Sequence, residues 1–165
     1  MGTLYMAIPR AITDPFDVVE VATTTALKTV LQVAVPSTTD IRIYGWGVSF
    51  DGIAAADPPG RVALVDCNAA ATAGTSLTPE KWESEDSPAS LCVGGTALTA
   101  YNLTTAVQTS VRYLDGEEVH PQTGYGVWFP EGRHPRVKPS KFLQLRCLFS
   151  VTVNCIPWIV YEEPA

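Results

Sequence analysis

The side chains in this sequence that are best suited to catalysis are one serine and two pairs of glutamates. A nucleophile elbow needs Gly-x-Ser-x-Gly so that the chain turns sharply beneath the serine, but Gly47–Asp51 lacks the final glycine and lies within a strand pattern. Adjacent residues of a strand point to opposite faces, so neither Glu117-Glu118 nor Glu162-Glu163 places two carboxylates on one glycosidic bond. We interpret both glutamate pairs as solvated edges, which makes a hydrolase the least favoured function.

Metal and phosphate chemistry is not predicted either. His120 and His134 each lie beside a proline in turn-rich sequence, and they do not form the closely spaced pair that is typical of zinc ligands. Gly94-Gly95 lacks the lysine and the helix of a phosphate-binding loop. We therefore expect no catalytic residue, no metal and no cofactor, and the protein is not expected to be an enzyme.

The four cysteines are Cys67, Cys92, Cys147 and Cys155, which are too few and too scattered for a disulfide framework in 165 residues. None belongs to a Cys-x-x-Cys pair of the kind that binds zinc. We interpret them as buried free thiols. Cys147 and Cys155 share the inward parity of their strand region, so a cross-strand pair is the alternative.

Four tryptophans carry the remaining binding chemistry, because an exposed pair of indoles can form a platform for stacking sugars. Trp46, Trp128 and Trp158 lie inside strand patterns, for which packing in the core is the expected role. Trp82 instead lies in the polar stretch Glu80–Asp86, and we predict that it anchors a loop or an interface.

Charge favours a protein partner. The formal net charge of -6 argues against a nucleic-acid groove or an anionic membrane surface, so neither is expected as a partner. The acidic stretch Glu80–Asp86 precedes a basic region with Arg133, Arg136 and Lys138. Such segregation favours docking on another protein, or between copies of this chain, through complementary patches.

The elements that must position these side chains read as β-strands. Apolar and polar residues alternate in several segments bounded by turn residues, namely Leu27–Val35, Ile41–Phe50, Arg61–Asp66, Tyr125–Phe129 and two strands within Lys141–Tyr161. About eight to ten strands predict an all-β fold, a single-domain antiparallel sandwich that is jelly-roll-like. In the stretch Asn68–Val107, which is rich in small residues, we expect short strands or partner contacts, and Thr78–Trp82 resembles a capped helical turn.

The N-terminal segment differs from the rest. Residues 1–14 mix apolar side chains with breakers and show no sustained period, which predicts an extended arm (1–14) followed by the sandwich domain (15–165). A chain that starts near Pro15 is therefore expected to fold. Met1–Met6 has no basic region followed by a long apolar core, so we expect no secretory signal.

Six segments between about Ala26 and Glu163 carry a family resemblance: Ala26–Val33, Ile43–Gly52, Pro88–Ser90, Phe129–Arg133, Ser140–Leu143 and Val160–Glu163. On these segments the sequence resembles small β-rich virion structural proteins of tailed actinobacterial phages and their prophages. The resemblance implies a capsid decoration (cement) protein, made in the host cytoplasm and located on the capsid exterior. Such a protein clamps neighbouring subunits of the major capsid protein, and these families imply homotrimers.

Eight residues are candidates for partner contacts: Leu4, Tyr5, Met6 and Ile8 of the arm, Trp82, and the basic residues Arg133, Arg136 and Lys138. Two alternatives remain open. One is a tail- or neck-associated virion protein with the same fold, and the other is a carbohydrate-binding sandwich.

Overall fold

The computed structural model describes residues 2–10, 18–71, 75–96 and 111–164. Within these ranges the chain forms thirteen β-strands: β1 (Thr3–Ala7), β2 (Val21–Ala22), β3 (Lys28–Ala34), β4 (Ile41–Phe50), β5 (Gly60–Cys67), β6 (Thr75–Leu77), β7 (Glu80–Lys81), β8 (Val93–Thr96), β9 (Val111–Val119), β10 (Gly124–Trp128), β11 (Arg136–Val137), β12 (Phe142–Leu148) and β13 (Asn154–Glu163). The same ranges contain no helix long and apolar enough to cross a membrane.

The strands form two antiparallel sheets that pack face to face. The seven-stranded sheet has the order β10-β4-β13-β1-β7, with β11 also paired to β4 and β2 to β13. The six-stranded sheet has the order β6-β8-β3-β12-β5-β9. Along the chain, β3 and β5 belong to the six-stranded sheet and the strand between them, β4, belongs to the seven-stranded sheet. The later long strands alternate in the same way, with β9 and β12 in the six-stranded sheet and β10 and β13 in the seven-stranded sheet. The predicted all-β antiparallel sandwich is confirmed.

The core lies between the two sheets and is built from the inward-facing residues of each strand. In β4 these are Ile41, Ile43, Trp46 and Val48, all almost fully buried. The indole nitrogen of Trp46 finds a partner at the edge of the opposite sheet, because Nε1 donates to the Asp115 carboxylate at 3.1 Å. A buried polar group that has a hydrogen-bond partner stabilises the packed core, whereas one without a partner would destabilise it.

The prediction of a separate N-terminal arm is wrong for Thr3–Ala7. This segment is an internal strand, β1, paired with β13 on one side and with β7 on the other. Tyr5 and Ala7 point into the core and are 1% and 0% exposed. The sequence shows no period here because a five-residue strand is too short to display one, and its partner β13 lies at the other end of the chain. Residues 11–14 of the predicted arm lie outside the described residues.

The predicted helical turn at Thr78–Trp82 is also wrong. Glu80 and Lys81 form β7, which pairs with Met6 and Tyr5 at the edge of the seven-stranded sheet. Backbone pairing with β1 overrides the local capping pattern. The short strands expected within Asn68–Val107 are present as β6, β7 and β8, while residues 72–74 and 97–107 of that stretch lie outside the described part of the chain.

A layer of buried polar side chains covers part of the outer face of the six-stranded sheet. Gln144, which is 0% exposed, donates from Nε2 to Gln32 Oε1 at 2.9 Å, and Gln32 Oε1 also accepts from the Ala71 backbone at 2.7 Å. Arg146 donates to Gln144 Oε1 from two nitrogens, at 2.7 and 3.0 Å. Strand β3 is therefore buried on both faces, although its alternation predicts a half-buried strand.

The last two glutamates are buried, which corrects their interpretation as a solvated edge. Glu163 is 5% exposed, and its carboxylate accepts hydrogen bonds from Ser90 Oγ at 2.5 Å, from Leu91 N at 3.0 Å and from Cys92 N at 3.2 Å. This single side chain holds the loop before β8 against β13. Glu162 accepts from Gly2 N at 2.8 Å and in this way anchors the start of β1.

All four cysteines are free and buried, as predicted. Cys147 and Cys155 come from different sheets, so they meet across the sandwich and not as neighbours on adjacent strands. Burial, together with the hydrogen bond to the Cys155 thiol, raises the pKa of the Cys147 thiol well above its usual range. Burial likewise raises the pKa of Cys92. The thiols of Cys92 and Cys147 are therefore protonated and unreactive near neutral pH.

Candidate interaction surfaces

Three tryptophans lie together on the outer face of the seven-stranded sheet. The ring centroids of Trp128 and Trp158 are 5.4 Å apart, and those of Trp82 and Trp128 are 6.3 Å apart. Trp82 is 49% exposed and Trp128 is 55% exposed. We call this group (Trp82, Trp128 and Trp158) the tryptophan face. Core packing was the expected role of Trp128 and Trp158, and among the three tryptophans found in strand patterns it holds only for Trp46.

Glycines in the sheet make room for these indoles. Trp128 lies directly opposite Gly45 in the β10–β4 pairing, and Trp158 lies opposite Gly47 in the β13–β4 pairing. A Cβ on Gly45 would lie 2.7 Å from the Trp128 ring, and one on Gly47 would lie 2.6 Å from the Trp158 ring. The alternate glycines of β4 thus mark a close approach of other side chains.

The substitution Gly47→Ala is expected to lower the free energy of unfolding by about 1–3 kcal/mol, because the new methyl overlaps a ring that is held between Gly47 and Trp128. Gly126→Ala is the matched control: it also faces Trp158, but its Cβ would lie at an ordinary contact distance of 3.4 Å. We expect the control to change stability by less than about 0.5 kcal/mol. Urea unfolding followed by circular dichroism measures both, and equal effects would contradict the proposed contact.

The candidate docking residues within β1 lie on opposite faces of the strand, because successive residues of a strand point to opposite sides. Tyr5 lies in the core, so it is removed from the set of docking residues. Leu4 and Met6 lie on the opposite face of β1, the face that carries the tryptophans, and both are half-buried. The backbone of Trp82 donates to Leu4 O at 2.9 Å, which joins the two candidates directly. Ile8 is half-buried just beyond the end of β1.

Ion pairs lie beside the tryptophan face. Arg10 and Glu80 form a pair at 3.1 Å next to Trp82, and Arg42 lies 3.8 Å from Glu162 on the neighbouring strands. Tyr44 is the extra residue where the register of β4 shifts against β13, and its ring stacks on His134 with centroids 4.0 Å apart. The apolar rings therefore have polar and charged neighbours on the same sheet.

Two of the basic candidates line a cleft of about 1190 Å³ beside the β3–β4 turn and the β11–β12 connection. Arg136 and Lys138 lie there with two basic residues that the sequence reasoning did not select, Arg112 and Lys141. We call this cleft, with its four basic residues Arg112, Arg136, Lys138 and Lys141, the basic cleft. Arg133 does not line it and is exposed in the turn that follows β10.

The two arginines of the basic cleft are fixed by carboxylates. Arg112 donates from Nε to Asp66 Oδ2 at 2.9 Å and from Nη2 at 2.5 Å, and it also bonds the carbonyl of Arg136. Arg136 donates from Nε to Asp40 Oδ2 at 2.8 Å. Arg112 was missed because only the register of β9 with β5 brings it to Asp66.

The described residues contain no group of three or more His, Cys, Asp or Glu side chains that could hold a metal ion. The tryptophan face and the basic cleft are the candidate interaction surfaces. Comparison with known proteins adds no relative: no protein-family model, no curated protein and no solved structure matches this chain.

Proposed function

We propose that this protein is a non-catalytic capsid decoration protein that docks through its tryptophan face onto the major capsid protein, on the outside of a phage head. The virion setting rests on the sequence resemblance. The docking role rests on one structural observation, which is that Trp82 and Trp128 are each about half exposed on the face of a well-packed sandwich. Self-association as a trimer belongs to the same proposal.

Physical chemistry supports a protein partner for this face. Tryptophan is among the residues most enriched at the energetic centres of protein interfaces, where a ring is buried at little cost in side-chain entropy. The ring of Trp128 contacts the rings of both Trp82 and Trp158, so the indoles are held in place before a partner arrives. The ion pairs Arg10–Glu80 and Arg42–Glu162 supply the polar rim that surrounds the apolar centre of a typical interface.

A tail- or neck-associated role would use the same face on a different part of the particle. The fold and the tryptophan face serve either position equally well. Imaging of intact particles with labelled protein distinguishes the two, because label on the head supports decoration and label on the tail or neck supports the alternative.

Carbohydrate binding is the second candidate, and the half-exposed indoles favour it, because aromatic rings stack on sugar faces. Their geometry favours it less than protein docking. Trp82 and Trp128 are inclined by 55° and Trp128 and Trp158 by 34°, so the rings do not share the single plane on which an extended sugar chain would lie.

Co-sedimentation with capsid particles stripped of their decoration protein tests the proposal. We expect the double substitution of Trp82 and Trp128 by alanine to weaken binding at least about thirtyfold, which corresponds to about 2 kcal/mol for the loss of an interface centre. Tyr113→Ala is the matched control, because Tyr113 is an aromatic residue that is 71% exposed on the other sheet. Unchanged binding of the double variant would refute docking through this face, and binding to a glycan array that the same variant loses would establish the second candidate.

A further inference from the structure

We infer that the basic cleft is the receiving half of a contact between copies of this chain, and that its occupant is the acidic segment Glu83–Ser87 of a second copy. The inference deepens the self-association that forms part of the proposed function. It concerns a surface distinct from the tryptophan face, so the two can fail independently.

The basic cleft has unused hydrogen-bond donors. Arg112 and Arg136 bind Asp66 and Asp40 through Nε and Nη2, which leaves the Nη1 group of each arginine without an acceptor in the described part of the chain. Lys138 and Lys141 form no ion pair with any described residue. Two guanidinium groups held in place and two unpaired ammonium groups therefore converge on one concavity, within a chain whose formal net charge is -6.

The size of the cleft indicates a chain segment as its occupant. Its volume of about 1190 Å³ exceeds the roughly 300–1,000 Å³ of typical small-molecule sites. One wall carries Leu91, an apolar side chain that is 60% exposed. A segment with carboxylates and some apolar surface fits this lining better than a small free anion, which would leave Leu91 in water.

The same chain carries a segment with the required charge. Glu83, Glu85 and Asp86 are exposed, and none of the three forms an ion pair with a residue that the structure describes. Their backbone is fixed by a turn in which Ser87 N donates to Ser84 O at 3.2 Å. Lys81 Nζ donates to the Glu85 carbonyl at 2.7 Å, which uses the carbonyl and leaves the carboxylate free. A turn held in this way loses little conformational entropy on docking.

The basic cleft and the acidic segment are different surfaces, so their contact is heterologous. A heterologous contact forms a closed ring when its rotation closes. Three copies arranged in this way would satisfy every cleft and every acidic segment, which supplies a geometric basis for the trimer. Because exposed ion pairs are weak individually and are screened by salt, assembly is expected to loosen as ionic strength rises.

Reversal of charge on each surface tests the inference, with light scattering and sedimentation of the full chain at micromolar concentration and low salt. We expect the pair Lys138→Glu and Lys141→Glu, or the pair Glu85→Lys and Asp86→Lys, to weaken self-association at least about tenfold. The quadruple variant reverses both surfaces and is expected to restore association. The control matched to the Glu85 and Asp86 pair is Glu117→Lys with Glu131→Lys, which changes the net charge by the same amount and sign on exposed residues elsewhere and leaves association intact.

Restoration in the quadruple variant cannot result from damaged folding, and circular dichroism verifies that each variant is folded. The inference is overturned by a wild-type monomer under these conditions, by double variants that associate like the wild type, or by a folded quadruple variant that stays monomeric. Particle binding by the tryptophan face is measured separately in the presence of capsid. A negative result here therefore leaves docking on the capsid through the tryptophan face standing, and loss of capsid docking alone leaves this contact standing.

Discussion

A chain shortened to begin at Pro15 is expected to lose its cooperative unfolding transition. The deleted residues include β1, which fills the gap between β13 and β7 in the seven-stranded sheet. Removal of Tyr5 empties the space against Tyr161, whose ring centroid lies 5.9 Å away, and the loss of a buried aromatic side chain alone costs about 3–5 kcal/mol. Loss of the strand pairing adds to this, against a total stability of about 5–15 kcal/mol for a typical domain.

Thermal unfolding followed by near-ultraviolet circular dichroism measures this effect. Two point variants separate core packing from simple shortening. Tyr5→Ala should lower stability by several kcal/mol, whereas Met6→Ala, on the half-buried outer face of the same strand, should cost about 1 kcal/mol. A shortened chain that melts like the full chain would restore the interpretation of the N-terminal segment as a detachable arm.

Replacement of Glu163 by alanine is expected to lower the free energy of unfolding by about 3 kcal/mol. Its carboxylate accepts three hydrogen bonds from the segment Ser90–Cys92, one of them buried and two partly buried, and the alanine variant removes all three. Hydrogen bonds to a charged group contribute about 1.5–3 kcal/mol, and unsatisfied buried donors cost about 1–3 kcal/mol each. The effect should therefore far exceed that of an ordinary surface substitution.

Two variants calibrate the Glu163 result in a denaturant titration. Glu163→Gln keeps one carbonyl acceptor and should lose less stability than the alanine variant. Glu118→Ala removes a carboxylate that is 67% exposed and paired with Arg61 at 3.4 Å, which should cost no more than about 1 kcal/mol. If Glu163→Ala and Glu118→Ala cost the same, Glu163 does not hold the loop before β8.

The strands that could be predicted are those in which inward-facing and outward-facing residues alternate visibly within the strand itself. Trp46 and Val48 face inward while Gly45 and Gly47 face outward, and this pattern is visible in β4 alone. β1 and β7 could not be predicted in this way, because each is short and is specified by pairing with a strand far away in sequence. The helical-turn signal at Thr78–Trp82 shows the same limit, since a capping pattern carries no information about the strand beside it.

The outward positions of Trp128 and Trp158 could have been predicted from the alternation of side chains along their strands. In β10, Tyr125 and Val127 pack against the core, so Trp128 has the opposite parity and must face outward. In β13 the same reasoning places Ile159 inside and Trp158 outside. What parity could not supply is the proximity of Trp82 to Trp128, because that contact depends on the order of strands in the sheet.

The distribution of the tryptophans gives the protein a built-in optical label. Three of the four indoles lie on the tryptophan face, and the fourth, Trp46, is sealed in the core. Water around the half-exposed rings red-shifts their emission, whereas Trp46 emits as an internal standard that a surface event does not reach. When a partner covers the tryptophan face, the intrinsic fluorescence therefore shifts to the blue, and this shift is measurable without dyes or tags. Indoles this close together also couple in the near-ultraviolet.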